Sequence, residues 1–266
     1  MTSVSFLVAL FNTALGVVYC CYGLITILDM KRGWRTHGFS HFGAAWIAMA
    51  FTCGPHHLDH GLHGFVSGRD GGLLDLVTIL IGFVPGVIWF LLRVEALWGG
   101  RGDRFISGTP AWLEALPTFF ASYTAGLIAW SIWTVDPSDV FTPRIIPNLC
   151  LVGLYAAIGS VLLRTQVRNH PMIGGWSVSG ISLAAVMYTC ALMHGVFALY
   201  ANSGRYYLDW HSAVIDVVAV PAACYFLWVT YSLYRGSIRD WNASPSSTVA
   251  RTTSEARTDA DLTRVT

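Results

Sequence analysis

Charged side chains are scarce in this sequence of 266 residues. Lys, Arg, Asp and Glu make up 12 % of it, against roughly 25 % in an ordinary soluble domain. Apolar residues make up 54 %, and the mean hydropathy is +0.54. A soluble chain of this length needs a charged surface, so the composition favours an integral membrane protein. The net charge of +1 argues against a nucleic-acid binder, because no basic stripe is available for phosphates.

The sequence also has a single lysine, and its cysteines do not form the usual paired motifs. The single lysine, Lys31, lies between apolar runs, so the last helix has no amine for the Schiff base of a retinal-type photoreceptor. The six cysteines show neither CxxC spacing nor the pattern of a secreted disulfide framework. We therefore expect most of them to be free thiols in the protein core.

Long apolar runs, by contrast, are abundant. A spanning helix needs about 20 predominantly apolar residues. Seven stretches meet that length, near residues 4–29, 41–63, 73–98, 111–134, 145–164, 172–201 and 208–234. The sequence therefore predicts an all-α integral membrane protein: a seven-transmembrane-helix bundle over residues 1–240, followed by a disordered tail over residues 241–266.

The distribution of basic residues predicts how these helices are oriented. Ten Lys and Arg side chains follow the odd-numbered helices, and three lie in the opposite loops. Cytoplasmic loops carry the excess of positive charge. We therefore expect the N-terminus outside, the C-terminal tail in the cytoplasm, and a multi-pass location, with the cell membrane as the expected one.

Histidine is concentrated in the second predicted helix. Four of the nine histidines lie within eight residues, toward the outer end of that helix. At 100° per residue, His56, His60 and His63 share one helix face with Asp59, while His57 points about 100° away. Imidazole is the commonest metal ligand, and histidines at i and i+4 on one face can share an ion. This pattern indicates a metal site.

The predicted topology brings ionisable residues of three more helices to the same membrane level. Asp75 begins the third helix, His194 lies on the sixth, and His211 and Asp216 lie on the seventh. The predicted metal ligands are His56, His60, His194 and His211, with His57 as a substitute. The residues predicted to orient these ligands or to act as a base are Asp59, Asp75 and Asp216.

A divalent metal with three protein ligands and one water supplies hydroxide near neutral pH. Zinc is the metal that this ligand chemistry favours. The first hypothesis is therefore a metal-dependent hydrolase at the outer membrane face, with a membrane lipid as substrate that reaches the site sideways from the bilayer. Asp59 or Asp216 would serve as the base.

This arrangement partly resembles the seven-helix hydrolases of the ceramidase and adiponectin-receptor superfamily. Their early-helix pattern, Ser-x3-His followed by an Asp, is approximated by Thr52 and His56 or by Cys53 and His57, followed by Asp75. Their last-helix pattern, His-x3-His, is approximated by His211, with Ile215 at the second position. The resemblance covers only these few residues, so the chain is not assigned to that superfamily.

Redox chemistry and transport are the alternatives. Haem b could be held without a covalent link by His57 or His60 together with His194, since no CxxCH motif is present. Copper could use the histidine cluster with Cys53 or Met193 as a soft ligand. A chain of His and Asp could also pass ions or protons.

A purely structural role at the membrane interface is the remaining interpretation, and the oligomeric state is left open.

Overall fold

The computed structural model of the protein describes residues 2–68, 72–134, 145–202 and 210–240. The predicted tail, 241–266, lies outside these ranges. The architecture is all-α with seven helices: α1 (Ser3–His37), α2 (His41–Ser67), α3 (Leu73–Leu97), α4 (Ala111–Thr134), α5 (Ile146–Ile173), α6 (Val178–Asn202) and α7 (Trp210–Arg235). Within the described ranges, the extended structure consists of one short antiparallel pairing, β1 (Phe105–Ile106) with β2 (Trp176–Ser177).

Five of these helices are long and apolar enough to cross a membrane. The apolar segments are Ser3–His37, Leu73–Leu97, Ile146–Ile173, Val178–Ala201 and Ala213–Arg235. Helix α2, which carries the histidine cluster, has 27 residues but is not among the five found in the described residues. The chain is therefore a polytopic helical membrane protein, and its orientation stays a prediction.

The predicted existence of seven helices is confirmed, but several of their ends differ from the prediction. Helix α1 continues to His37 rather than ending near residue 29. Helix α5 runs through Pro171 to Ile173, and α6 begins at Val178 rather than near residue 172. The end of α5 is set by Gly174, whose φ of 69° gives the left-handed cap that glycine adopts without strain.

Six of the helices form a closed ring. In order around the ring they are α1, α2, α7, α5, α6 and α3, and α3 packs again on α1. Helix α4 contacts α6 from outside this ring. Helices α2 and α6 therefore lie opposite one another, and side chains from both can meet on the central axis.

Helices α1 and α2 approach each other unusually closely. A Cβ atom added at Gly61 would overlap Thr13 Oγ1 and lie 2.7 Å from the Thr13 amide nitrogen and 2.8 Å from the Ala9 carbonyl oxygen. Only a residue without a side chain fits against this backbone, which is how small residues allow membrane helices to pack. The close approach sets His57 beside Asn12 on α1.

Inside the ring of helices, large aromatic side chains fill the level on the N-terminal side of the histidine cluster that begins at His56. The ring centroids of Trp46 and Tyr22 each lie 4.2 Å from that of Trp89, in edge-to-face arrangements. All three side chains are buried. Trp46 precedes His56 by ten residues, about 15 Å along the helix. The histidines therefore occupy a separate, polar level of the interior.

Candidate metal centre

Three buried side chains from three helices converge on the axis of the ring. His56 of α2, His194 of α6 and Asp216 of α7 each offer one ligand atom, and these atoms all lie within 4.8 Å of one another. The exposed fractions of the three residues are 5 %, 4 % and 0 %. The group could hold a metal ion. Two of its members, His56 and His194, are ligands predicted from the sequence. The third, Asp216, is predicted to orient the ligands or to act as a base.

Helix α2 delivers His56 to this position because it stays helical through Gly54 and Pro55. Proline is tolerated inside membrane helices, where neighbouring groups satisfy the freed carbonyl. The helical stripe predicted from the sequence is therefore preserved. The imidazole centroid of His56 lies 4.5 Å from that of His60 and 4.5 Å from that of His194.

Asn148 of α5 connects two members of the group. Its Oδ1 atom accepts a hydrogen bond from Nδ1 of His194 at 2.6 Å, and its Nδ2 atom donates to Oδ2 of Asp216 at 2.6 Å. The side chain of Asn148 is completely buried. Because Nδ1 of His194 donates its proton to Asn148, the lone pair of His194 is on Nε2, where it is available to a metal.

The contact between His56 and Asp216 is short but is not aligned as a hydrogen bond. Nδ1 of His56 lies 2.8 Å from Oδ1 of Asp216. Among the described residues, neither of these two buried atoms has a hydrogen-bond partner of acceptable geometry. Buried polar atoms left this way are costly. A cation bound by both atoms would satisfy them, so the residues present fit a metal ion.

A small cavity of about 20 Å³ adjoins this group. A water molecule needs roughly 10–15 Å³ by the same measure, so the cavity has room for one. The lining side chains are Asn12, His56, His57, His60, Asp75, Met193 and Phe197. The cavity therefore joins the edge of the candidate centre to the other polar residues of α2.

His57 faces this cavity with a fixed hydrogen-bonding pattern. Nδ1 of His57 lies 2.9 Å from Oδ1 of Asn12, whose Nδ2 atom donates to the Val8 carbonyl oxygen at 3.0 Å. Because Asn12 presents its oxygen to the ring, His57 donates from Nδ1 and carries its lone pair on Nε2. The substitute ligand predicted from the sequence is thus buried and close to His56, but it lies outside the three-residue group.

The other predicted site residues differ in where they lie. His60 and Asp75 line the cavity but do not belong to the three-residue group, and the His60 ring packs 4.3 Å from Phe197. Asp59 is half-buried and outside both the group and the cavity lining. His211 is the second residue of α7, but its side chain lies outside the described residues.

Sequence reasoning missed the two asparagines. Asn12 and Asn148 are both buried within apolar helices, and each accepts a hydrogen bond from Nδ1 of a candidate histidine. Neither residue is ionisable, and the sequence prediction rested on ionisable groups. An uncharged amide inside an apolar run is also expensive to bury without a partner, and that cost was the signal that could have identified both residues.

No protein-family model matches the sequence, and no curated protein or solved structure shows significant similarity to it. The partial resemblance to seven-helix hydrolases therefore gains no support from a family match. What the site supports must follow from its own residues.

Proposed function

We propose that the protein is an intramembrane metalloenzyme that hydrolyses an ester or amide bond of a membrane lipid. The observation that carries this proposal is the buried group of His56, His194 and Asp216, whose ligand atoms lie within 4.8 Å of one another. Two imidazoles and one carboxylate form the ligand set of several catalytic zinc sites. Zinc is therefore the ion that we propose for this centre.

Charge supports a divalent cation at this position. Asp216 is completely buried; its Oδ2 atom accepts a hydrogen bond from Asn148, and its Oδ1 atom lies 2.8 Å from Nδ1 of His56 without the alignment of a hydrogen bond. An ionised carboxylate within a membrane protein is costly unless a positive group compensates it. A metal ion supplies that charge while leaving both imidazoles neutral, which is the form that binds metals.

The neighbouring cavity supports a catalytic metal site rather than a structural one. Structural zinc sites use four protein ligands, whereas catalytic sites use three and keep one position for water. The cavity has room for one water and borders His56. A bound metal would lower the pKa of that water and make hydroxide available. Asp75, which lines the same cavity, is the carboxylate that we assign to accept the proton.

The lipid substrate is inferred from the location of the centre. The cavity is too small for a lipid head group, so the helices that border it must separate to admit the scissile bond. Helices α1, α2, α3 and α6 provide its lining. A substrate already dissolved in the bilayer could enter between two of these helices without leaving the membrane.

Copper redox chemistry is a second candidate, and Met193 is the observation that favours it. The Met193 side chain is among the residues that line the cavity. A thioether is a soft ligand that favours copper over zinc.

The test measures fatty-acid release in vesicles. The full chain, loaded with zinc, is reconstituted with ester-linked and amide-linked lipids, and free fatty acids are quantified by mass spectrometry. We expect release by the wild type and by the matched control His41→Ala, whose imidazole contacts Tyr225 at the opposite end of α2. We expect no release by His194→Ala. Equal release by His194→Ala, or none by the zinc-loaded wild type, would overturn the proposal.

A further inference from the structure

Two buried thiols lie about one helical turn from the two imidazoles of the candidate centre, on the N-terminal side of each histidine. Cys53 precedes His56 by three residues on α2, and Cys190 precedes His194 by four residues on α6. Residues three and four apart lie on the same face of a helix, and one turn advances about 5.4 Å. Because the rings of His56 and His194 meet across the axis, the two thiols point toward the same part of the axis.

Each thiol has a tyrosine hydroxyl beside it. The hydroxyl of Tyr155 lies 3.2 Å from Sγ of Cys53, and the hydroxyl of Tyr19 lies 3.9 Å from Sγ of Cys190. Both cysteines and both tyrosines belong to one cluster of buried core side chains. All four residues are buried, with exposed fractions of 6 % or less. They form one cluster, which we call the thiol pair with its two tyrosines.

We propose that Cys53 and Cys190 form a second metal site, which binds a soft monovalent cation of the Cu⁺ type. Thiolates select such ions, whereas zinc would require further ligands to complete a tetrahedron. Binding of Cu⁺ forms two Cu–S bonds and releases the two thiol protons to solvent, leaving a net charge of −1 on the complex. The hydroxyls of Tyr155 and Tyr19 can then donate hydrogen bonds to the thiolates. This site does not depend on the proposed hydrolase.

The chain offers a matched control for these cysteines. Cys150 and Cys224 are also free, but both are exposed. Their replacement by serine removes the same number of thiols without touching the buried pair. Serine is close to cysteine in size, so the exchange at Cys53 and Cys190 changes the ligand atom more than the packing.

The experiment titrates the full chain in detergent with Cu⁺ against a coloured Cu⁺ chelator, under anaerobic reducing conditions. We expect the Cys53→Ser/Cys190→Ser variant to lose about one equivalent of tightly bound Cu⁺ relative to wild type. The Cys150→Ser/Cys224→Ser control should keep that equivalent. The His56→Ala/His194→Ala variant should also keep it, which separates failure of this site from failure of the hydrolase centre.

X-ray absorption on the His56→Ala/His194→Ala variant, loaded with one equivalent of Cu⁺, reads the ligand shell of the thiol site with the histidine centre removed. We expect a first shell of sulfur only. A shell that contains nitrogen, or a Cu⁺ equivalent that survives in Cys53→Ser/Cys190→Ser, would overturn the proposal. A Tyr155→Phe variant should bind Cu⁺ about 10–100-fold more weakly, because it removes a hydrogen bond to a ligand.

Discussion

Asn148 hydrogen-bonds to His194 and Asp216 at the same time, accepting from the imidazole and donating to the carboxylate, each at 2.6 Å. The two partners belong to different helices, α6 and α7, and Asn148 belongs to a third. One uncharged side chain therefore orients two of the three groups in the candidate centre. Groups in this position around a metal usually matter almost as much as the ligands themselves.

Substitution of Asn148 should weaken metal binding without removing a ligand. We expect Asn148→Ala to lower zinc affinity about 10–100-fold, since the tautomer of His194 and the orientation of Asp216 are no longer fixed. Competition with a zinc chelator measures the change. The control is Ser160→Ala on the same helix, where the lost contact is to Tyr188. Equal zinc affinity of the two variants would show that Asn148 does not orient the metal ligands.

Metal affinity should depend on pH in a defined direction. The ligand atoms of His56, His194 and Asp216 bind a metal only when they carry no proton, so protons compete with the ion. The apparent affinity should therefore fall as pH is lowered from about 7.5 to about 5.5. Binding should also release protons, which titration calorimetry detects in buffers of different ionisation enthalpy. Affinity that is constant over this range would argue against His56 as a ligand.

The close packing of α1 on α2 should be sensitive to a single methyl group. In Gly61→Ala, the new Cβ would meet backbone atoms of Ala9 and Thr13. The two helices must then separate. Overpacking of this kind costs about 1–3 kcal/mol of unfolding free energy, and the displacement should also disturb the His57–Asn12 contact. Thermal unfolding in detergent measures the loss.

Gly153 provides the control for that substitution. It lies inside α5, and a Cβ added there would have no described atom of another helix within 4 Å. We expect Gly153→Ala to leave stability unchanged or to raise it by up to about 1 kcal/mol, because alanine is the better helix former. If Gly61→Ala and Gly153→Ala behave alike, the helix contact is less restrictive than described.

The start of α2 depends on a residue far along the chain. Oδ2 of Asp240 accepts a hydrogen bond from the Phe42 amide at 2.9 Å, and Oγ of Ser40 accepts one from the Gly43 amide at 2.8 Å. Asp240→Ala should lower stability by about 0.5–2 kcal/mol through loss of this cap. The metal content of this variant should stay at the wild-type value, because Phe42 and His56 lie 14 residues apart on α2, about 21 Å along the helix.

The comparison for this variant is Arg239→Ala, at the exposed neighbouring position. We expect no change in thermal unfolding or metal content there. A loss of metal in Asp240→Ala, in a protein that remains folded, would show that the two ends of α2 are coupled.

Much of the architecture could be predicted from hydropathy alone. Apolar runs of about 20 residues identified the helices because backbone polar groups cannot be left unsatisfied in lipid. The exact ends could not be predicted, since extension of α5 through Pro171 depends on the Gly174 cap and the packing around it. The order of the six helices in the ring also depends on side-chain packing, which hydropathy does not encode.

The candidate centre was predictable only in part. Helical periodicity placed His56 and His60 on one face, and the alternation of helices brought His194 and Asp216 to the same level. The sequence could not show that Asp216 lies 2.8 Å from His56 or that His57 hydrogen-bonds to Asn12 instead of joining the group. Those relationships depend on the rotation of each helix about its own axis.

The most direct test of the metal site at His56, His194 and Asp216 is metal analysis of the full chain. The chain is purified without a metal-binding tag and equilibrated by dialysis with a buffer that contains zinc. Wild type and the control His41→Ala should each retain about one ion per chain. His194→Ala and Asp216→Asn should each retain none while remaining folded by circular dichroism. Wild-type protein that retains no metal, or an Asp216→Asn variant that retains as much as wild type, would contradict the account.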